Sequence, residues 1–173
     1  PGAGRVREPK MLTRNYRGVD GVQLAALIFV ALALVPAGAH LASLPNKISR
    51  PPEAYMVMQQ AYNGWALFGI VIYGALLTTA LNAIAVRRQR GPFWLSIGAF
   101  LLIAATQFIF WTFTYPANAA TNNWTVMPDN FEGWRQQWEY SHAINALLTF
   151  LAFVLLALSI LETRREAEEI RRA

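Results

Sequence analysis

The chain contains no cysteine. That removes disulfides, thiolate metal ligands, iron–sulfur clusters and thiol redox chemistry, and it leaves the redox state of the compartment unmarked. Histidine is nearly absent as well, so any imidazole chemistry must use His40, His142 or both. Charge is scarce, at 14% of residues, and it is confined. Four apolar runs, at 22–44, 61–86, 93–115 and 138–161, hold no Lys or Arg. At about 1.5 Å per residue each run is long enough to cross a hydrocarbon core of about 30 Å. Lipid offers no water to the backbone amides, so the runs must be helices. The expected fold is an all-α, polytopic four-helix transmembrane bundle. One domain spans 21–163, flanked by a basic arm at 1–20 and a charged tail at 164–173. The chain opens on Pro1 with its first Met at position 11, and residues 1–10 are read as an extension without function.

The charges left over describe a topology. Arg5, Arg7, Lys10, Arg14 and Arg17 precede the first run, Arg87, Arg88 and Arg90 separate the second from the third, and Arg164, Arg165, Arg171 and Arg172 follow the fourth. These are twelve of the fifteen basic residues, against Lys47, Arg50 and Arg135 on the other side. The positive-inside rule therefore predicts cytoplasmic termini, a cytoplasmic turn between helices 2 and 3, and two longer outer loops. The expected location is a bacterial inner membrane, with lipids as partners. The net charge of +5 sits in juxtamembrane clusters rather than a basic groove, which argues against nucleic acid. Ala37-Gly38-Ala39 imitates a signal-peptide cleavage site, but the first run is read as a retained span.

Along the chain, residues 5–17 read as an irregular basic arm. Pro36 should kink the first span, while Pro45 and Pro51-Pro52 should hold the next loop extended or turned. Helix 2 is expected to start outside the membrane near Tyr55 and run unbroken to Val86, about 48 Å, so it must tilt or protrude. Its stripe Ala75, Thr79 and Ala83 sets small residues four apart, a spacing that allows close helix approach. Gly91-Pro92 breaks the chain tightly, making helices 2 and 3 antiparallel neighbours. Residues 115–133 read as a structured outer cap, and the Glu- and Arg-rich tail as a continuation of helix 4.

Functional signal lies in polar residues within the apolar runs. These are read as gathering in the outer half, where His40, Gln107, His142 and Asn145 come to similar depth and Gln59 and Asn63 sit at the mouth of helix 2. They would line one outward-facing small-molecule pocket. At the start of helix 4, Arg135, Glu139 and His142 fall at i, i+4 and i+7 on one face. Such a trio can fix the tautomer of His142 for use as a general base. It can equally be an interfacial cap in which Arg135 meets Glu139 or a lipid headgroup and Trp134 and Trp138 form the aromatic belt. Glu139-x-x-His142 matches half of a di-iron motif, but the chain offers no second half. No metal is expected, and a bis-imidazole haem between His40 and His142 is the cofactor alternative.

Three stretches carry a family resemblance. Leu44-Pro45-Asn46-Lys47 is followed by Gln59-Gln60-Ala61-Tyr62-Asn63-Gly64-Trp65. Phe110-Trp111-Thr112-Phe113-Thr114-Tyr115-Pro116-Ala117-Asn118 precedes Asn123-Trp124. The third is Trp134-Arg135-Gln136-Gln137-Trp138-Glu139-Tyr140-Ser141-His142. Together they resemble a family of small four-helix membrane proteins of unknown function grouped with fungal anthrone oxygenases. The resemblance implies a site built on Pro116, Asn118, Arg135, Trp138 and His142. It also implies reaction of a deprotonated phenolic substrate with dioxygen, without metal or flavin. His142 would be the base, Arg135 would stabilise the anion, and tryptophans such as Trp111, Trp124 and Trp138 would wall the pocket. Asn145 stands where related sequences can carry a basic residue. A pocket that binds lipid, quinone or pigment without reacting, in an accessory subunit of a larger membrane complex, is the competing reading.

Overall fold

The computed structural model describes residues 10–172, with side chains from Val19 to Glu169 and at Arg171 and Arg172. Arg5 and Arg7 of the basic arm lie outside the described residues. Among those described, every regular element is helical: α1 Lys10–Lys47, α2 Pro52–Gln59, α3 Phe68–Ala85, α4 Arg90–Ile109, α5 Tyr115–Ala120 and α6 Phe131–Arg172. Four segments are long and apolar enough to cross a membrane: Val19–Lys47, Trp65–Ala85, Arg90–Ala120 and Phe131–Glu169. The packing is a closed square in which α1 meets α3, α3 meets α4, α4 meets α6 and α6 meets α1. The α3–α4 turn lies with Lys10 and Arg172 at one end, the terminus end, and the two longer connections lie at the other, the loop end.

The distribution of side chains is that of a protein solvated by lipid. Leu24, Ile28, Leu77, Leu101, Phe108 and Leu147 face outward, whereas the fully buried positions include Ala26, Ala75, Ala99 and Ala152. In lipid an apolar interior gains nothing over the exterior, so association relies on close approach of small residues and on hydrogen bonds between helices. Ala75, Thr79 and Ala83 are all buried, as the small-residue stripe predicts. Beside them Gly74 lies against the ring of Phe29 on α1, leaving no room for a β-carbon. Between the two ends lies an apolar cluster of Ala26, Val30, Ala75, Ala99, Ile103, Ala152 and Leu156, with the buried threonines Thr79, Thr106 and Thr149 on the same helices.

Several local expectations are corrected. The chain is already helical at Lys10, so the basic stretch from there onward is the start of α1 and not irregular. Pro45 does not end that helix; like Pro36 it lies inside it, and α1 runs to Lys47. Helix 2 is not continuous. It breaks into α2, two 3-10 turns at Gln60–Tyr62 and Trp65–Leu67, and α3, because Gly64 takes a left-handed φ of 84° that costs glycine little. The third span widens to a π-turn at Phe110–Thr114 just before Pro116, whose ring nitrogen has no hydrogen to donate. There the carbonyl of Phe113 accepts a hydrogen bond from Gln137 on α6 at 2.9 Å.

Polar residues are not restricted to the loop end either. At the terminus end Gln23 donates to Thr163 at 3.1 Å, Asn82 donates to Ser96 at 2.9 Å, and Ser96 lies 2.9 Å from Ser159. Ser96 and Ser159 both donate to the carbonyl of Pro92. These bonds tie all four spans together, and they occur where hydropathy had marked only apolar sequence.

Candidate functional site at the loop end

The loop-end cluster is organised around a residue that sequence reading left in a loop. Because α1 continues through Pro45, Lys47 stays on the same helical face as His40, two turns away, and points into the bundle. Its ammonium lies 3.0 Å from Glu139 Oε1, with the two side chains 1% and 0% exposed. The same carboxylate oxygen accepts from the Tyr55 hydroxyl at 2.8 Å, and Lys47 also reaches Gln59 Oε1 at 3.4 Å. The ammonium rests over the rings of Tyr62 and Trp138, 4.6 Å and 4.9 Å from their centroids. A charge taken out of water needs such partners. Burial, then the charge of Glu139 and the hydrogen bond to it, raise the Tyr55 phenol above its ordinary value, so Tyr55 stays a donor.

Below the ion pair the two histidines meet. His40 from α1 and His142 from α6 are stacked with ring centroids 4.0 Å apart and planes 29° apart. Trp138 stands edge-on to both, at 4.9 Å from His40 and 4.2 Å from His142, while Tyr62 and Trp65 close on His40 from the broken segment before α3. The α1–α6 contact required for a shared haem is present, but ring faces in contact leave no space for a porphyrin between them, and the pair does not fit that group. Among the described residues no group of three or more His, Asp or Glu side chains is placed to hold a metal.

Arg135 takes a different role from the one its spacing suggested. It pairs with Glu132, donates to the carbonyl of Arg50 at 2.6 Å, and lies over the rings of Tyr55 and Phe131. It thus ties the start of α6 to the loop after α1, and Lys47 is the cation at Glu139. Trp138 and Trp124 both donate their indole N–H to Asn118 Oδ1, at 2.8 Å and 3.1 Å. The structure therefore gathers His40, Asn118, Trp124, Trp138, Glu139 and His142, with Arg135 at the edge.

Three predicted positions lie elsewhere: Asn63 is exposed, Gln107 bonds the adjacent Thr106, and Trp111 turns outward beside Phe110 and Tyr115. Asn145 lies one turn beyond His142 on α6, with its side-chain oxygen buried and unpaired. Missed by sequence reading were Lys47, Tyr55, Tyr62 and Trp65. The available signal was a lysine two turns from His40 and a tyrosine three residues into a helix begun at Pro52.

The cap is held by an unusual backbone. Asn122, Asn123 and Trp124 take successive left-handed φ values of 46°, 52° and 63°. The conformation costs ~1–2 kcal/mol per residue, less for asparagine than for tryptophan. It is held by Asn123 N–H to Asn118 O at 2.7 Å, Trp124 N–H to Thr121 Oγ1 at 3.1 Å and Gln60 Nε2 to Trp124 O at 2.8 Å. The turn drives the indole inward, edge-on to Tyr55 at 5.3 Å and Trp138 at 5.5 Å.

The loop-end cluster is packed with rings where sequence reading expected an open pocket. A cleft of about 320 Å³ lies at the terminus end between Val19, Asp20, Thr163, Arg164 and Glu168. Yet four buried polar atoms at the loop end have no hydrogen-bond partner: His40 Nδ1, Gln59 Nε2, Arg135 Nε and Glu139 Oε2. Comparison of the chain with protein-family models, with curated proteins and with solved structures found no match.

Proposed function

We propose that this multi-pass membrane protein binds a phenol- or quinone-like aromatic molecule at its loop end and handles a proton there, in the manner of a cofactor-free oxygenase. The observation that carries the reading is the buried Lys47–Glu139 pair set beside stacked histidines inside an aromatic enclosure. A phenolic hydroxyl there would give its proton to the imidazole of His142, and the phenolate oxygen would be stabilised by the Lys47 ammonium in a water-poor setting. Lys47 takes the anion-stabilising part that the anthrone-oxygenase resemblance assigned to Arg135. The twelve-to-three charge distribution supports cytoplasmic termini, so that in the bacterial inner membrane to which we assign the protein the site would face outward.

The test is native purification followed by mass spectrometry of bound small molecules, repeated with His142→Ala and with the charge-free double variant Lys47→Met/Glu139→Gln. Loss of the molecule from stable variants supports the site; full retention in both removes it. The second reading, a non-catalytic subunit of a larger membrane complex, draws on the ring-on-ring packing of the cluster. It predicts a protein that purifies without a small molecule but with stoichiometric partner subunits.

A further inference from the structure

We propose that Trp124 is a resident plug, occupying the place of an indole-sized aromatic ligand that carries one hydrogen-bond donor. The inference rests on the reading of the loop end as a ligand site and names the ligand's shape and polarity. Three observations carry it. The indole is 5% exposed and sits among Tyr55, Phe131 and Trp138. Its single donor is spent on Asn118 Oδ1, an acceptor already served by Trp138. It is held there by three consecutive left-handed residues, a conformation that persists only where surrounding contacts enforce it. Glu139 and Gln59, 0% and 3% exposed, each have a polar atom without a partner in the same cluster. A ligand that displaced the indole would meet the same ring faces and Asn118, while the turn of 122–124 relaxed outward.

The cavity variant is Trp124→Gly, since glycine keeps the left-handed backbone and removes only the side chain. The full chain, purified in detergent, is titrated calorimetrically with indole and with indene, its counterpart lacking the N–H. Indole should bind the variant at least about tenfold more tightly than it binds the unmodified protein. It should be preferred over indene by about three- to tenfold, the worth of one net hydrogen bond, because indene leaves Asn118 Oδ1 with the Trp138 donor alone, and that preference should vanish on adding Asn118→Leu. A folded variant that gains no affinity for indole, or that takes indene equally well, overturns the proposal.

Gln60→Ala provides a second arm. It removes only the bond that pins the Trp124 carbonyl from an exposed position, and it should raise indole affinity several-fold with the indole plug intact; no change overturns the plug. Adding His142→Ala and Lys47→Met/Glu139→Gln separates the two ideas. Indole binding that survives both, with the natural ligand also retained in them, leaves the plug standing while the proton-handling role fails. A natural ligand lost from those variants, with no gain at Trp124→Gly, sinks the plug alone.

Discussion

Removing the Lys47 ammonium while keeping its volume should be among the most damaging single changes in the molecule. Lys47→Met leaves the aliphatic stem against Tyr62 and Trp138 but strands a carboxylate that is fully buried, with only Tyr55 donating to it. Breaking a buried ion pair from one side costs about 3–5 kcal/mol, because the remaining charge has neither water nor a counter-ion. The double variant Lys47→Met/Glu139→Gln removes the charge altogether, and the oxygen of the introduced amide can still accept from Tyr55. It should recover most of the loss, giving a strongly non-additive cycle with a coupling of about 2 kcal/mol or more. Thermal and denaturant unfolding of the detergent-solubilised protein measures all four corners. A single variant within about 0.5 kcal/mol of the parent, the range of ordinary surface changes, would show that the pair is hydrated and that the loop-end description is wrong.

Ala75→Leu and Ala83→Leu overpack buried positions on α3 and should each lower stability by about 1–3 kcal/mol; equal melting temperatures would put the stripe toward lipid. Asn82→Leu deletes the link from α3 to Ser96 and should cost about 0.6–1.7 kcal/mol, and a neutral result in detergent melting would disprove the four-helix network. Tyr55 should be the last tyrosine to ionise in an alkaline absorbance titration. Its folded-state value is raised, so its contribution to stability is complete below the unfolded value near 10 and declines as pH rises through the folded one. Single cysteines placed in this cysteine-free chain should label from outside intact cells at Asn122 but not at Arg88; labelling at Arg88 would reverse the topology.

The four spans were legible because lipid imposes a rule on the chain that hydropathy reads directly: a run of that length without charge has few alternatives to a helix. The tight connection between the second and third spans was legible for a similarly local reason, although the turn itself falls at 86–89 and Gly91 and Pro92 already belong to the first turn of α4. The site was only half legible. Arg135, Glu139 and His142 do share a face of α6, but their partners come from segments far away in sequence, and periodicity along one helix carries no information about these. Lys47 was assigned to a loop because Pro45 is a local breaking signal, and packing overrode it. Hydrogen-bonding Gln23, Asn82, Ser96 and Ser159 were hidden by the opposite effect, since short polar side chains scarcely lower the mean of an apolar window. The outer pocket was inferred from polarity alone, which says which groups gather but not whether rings fill the space between them.

The apolar belt of Ala26, Val30, Ala75, Ala99, Ile103, Ala152 and Leu156 makes the protein electrically two-sided. None of these side chains is ionisable, and the hydroxyls buried beside them, on Thr79, Thr106 and Thr149, are spent on carbonyls of their own helices, so they form no continuous relay for a proton. On the proposed proton-handling role, hydrogen ions taken up or released near His142 would exchange with the solution at the loop end, and the membrane voltage would fall across the belt without driving that exchange. Imposing a potential on proteoliposomes should leave loop-end binding unchanged, while acidifying the compartment at that end should not.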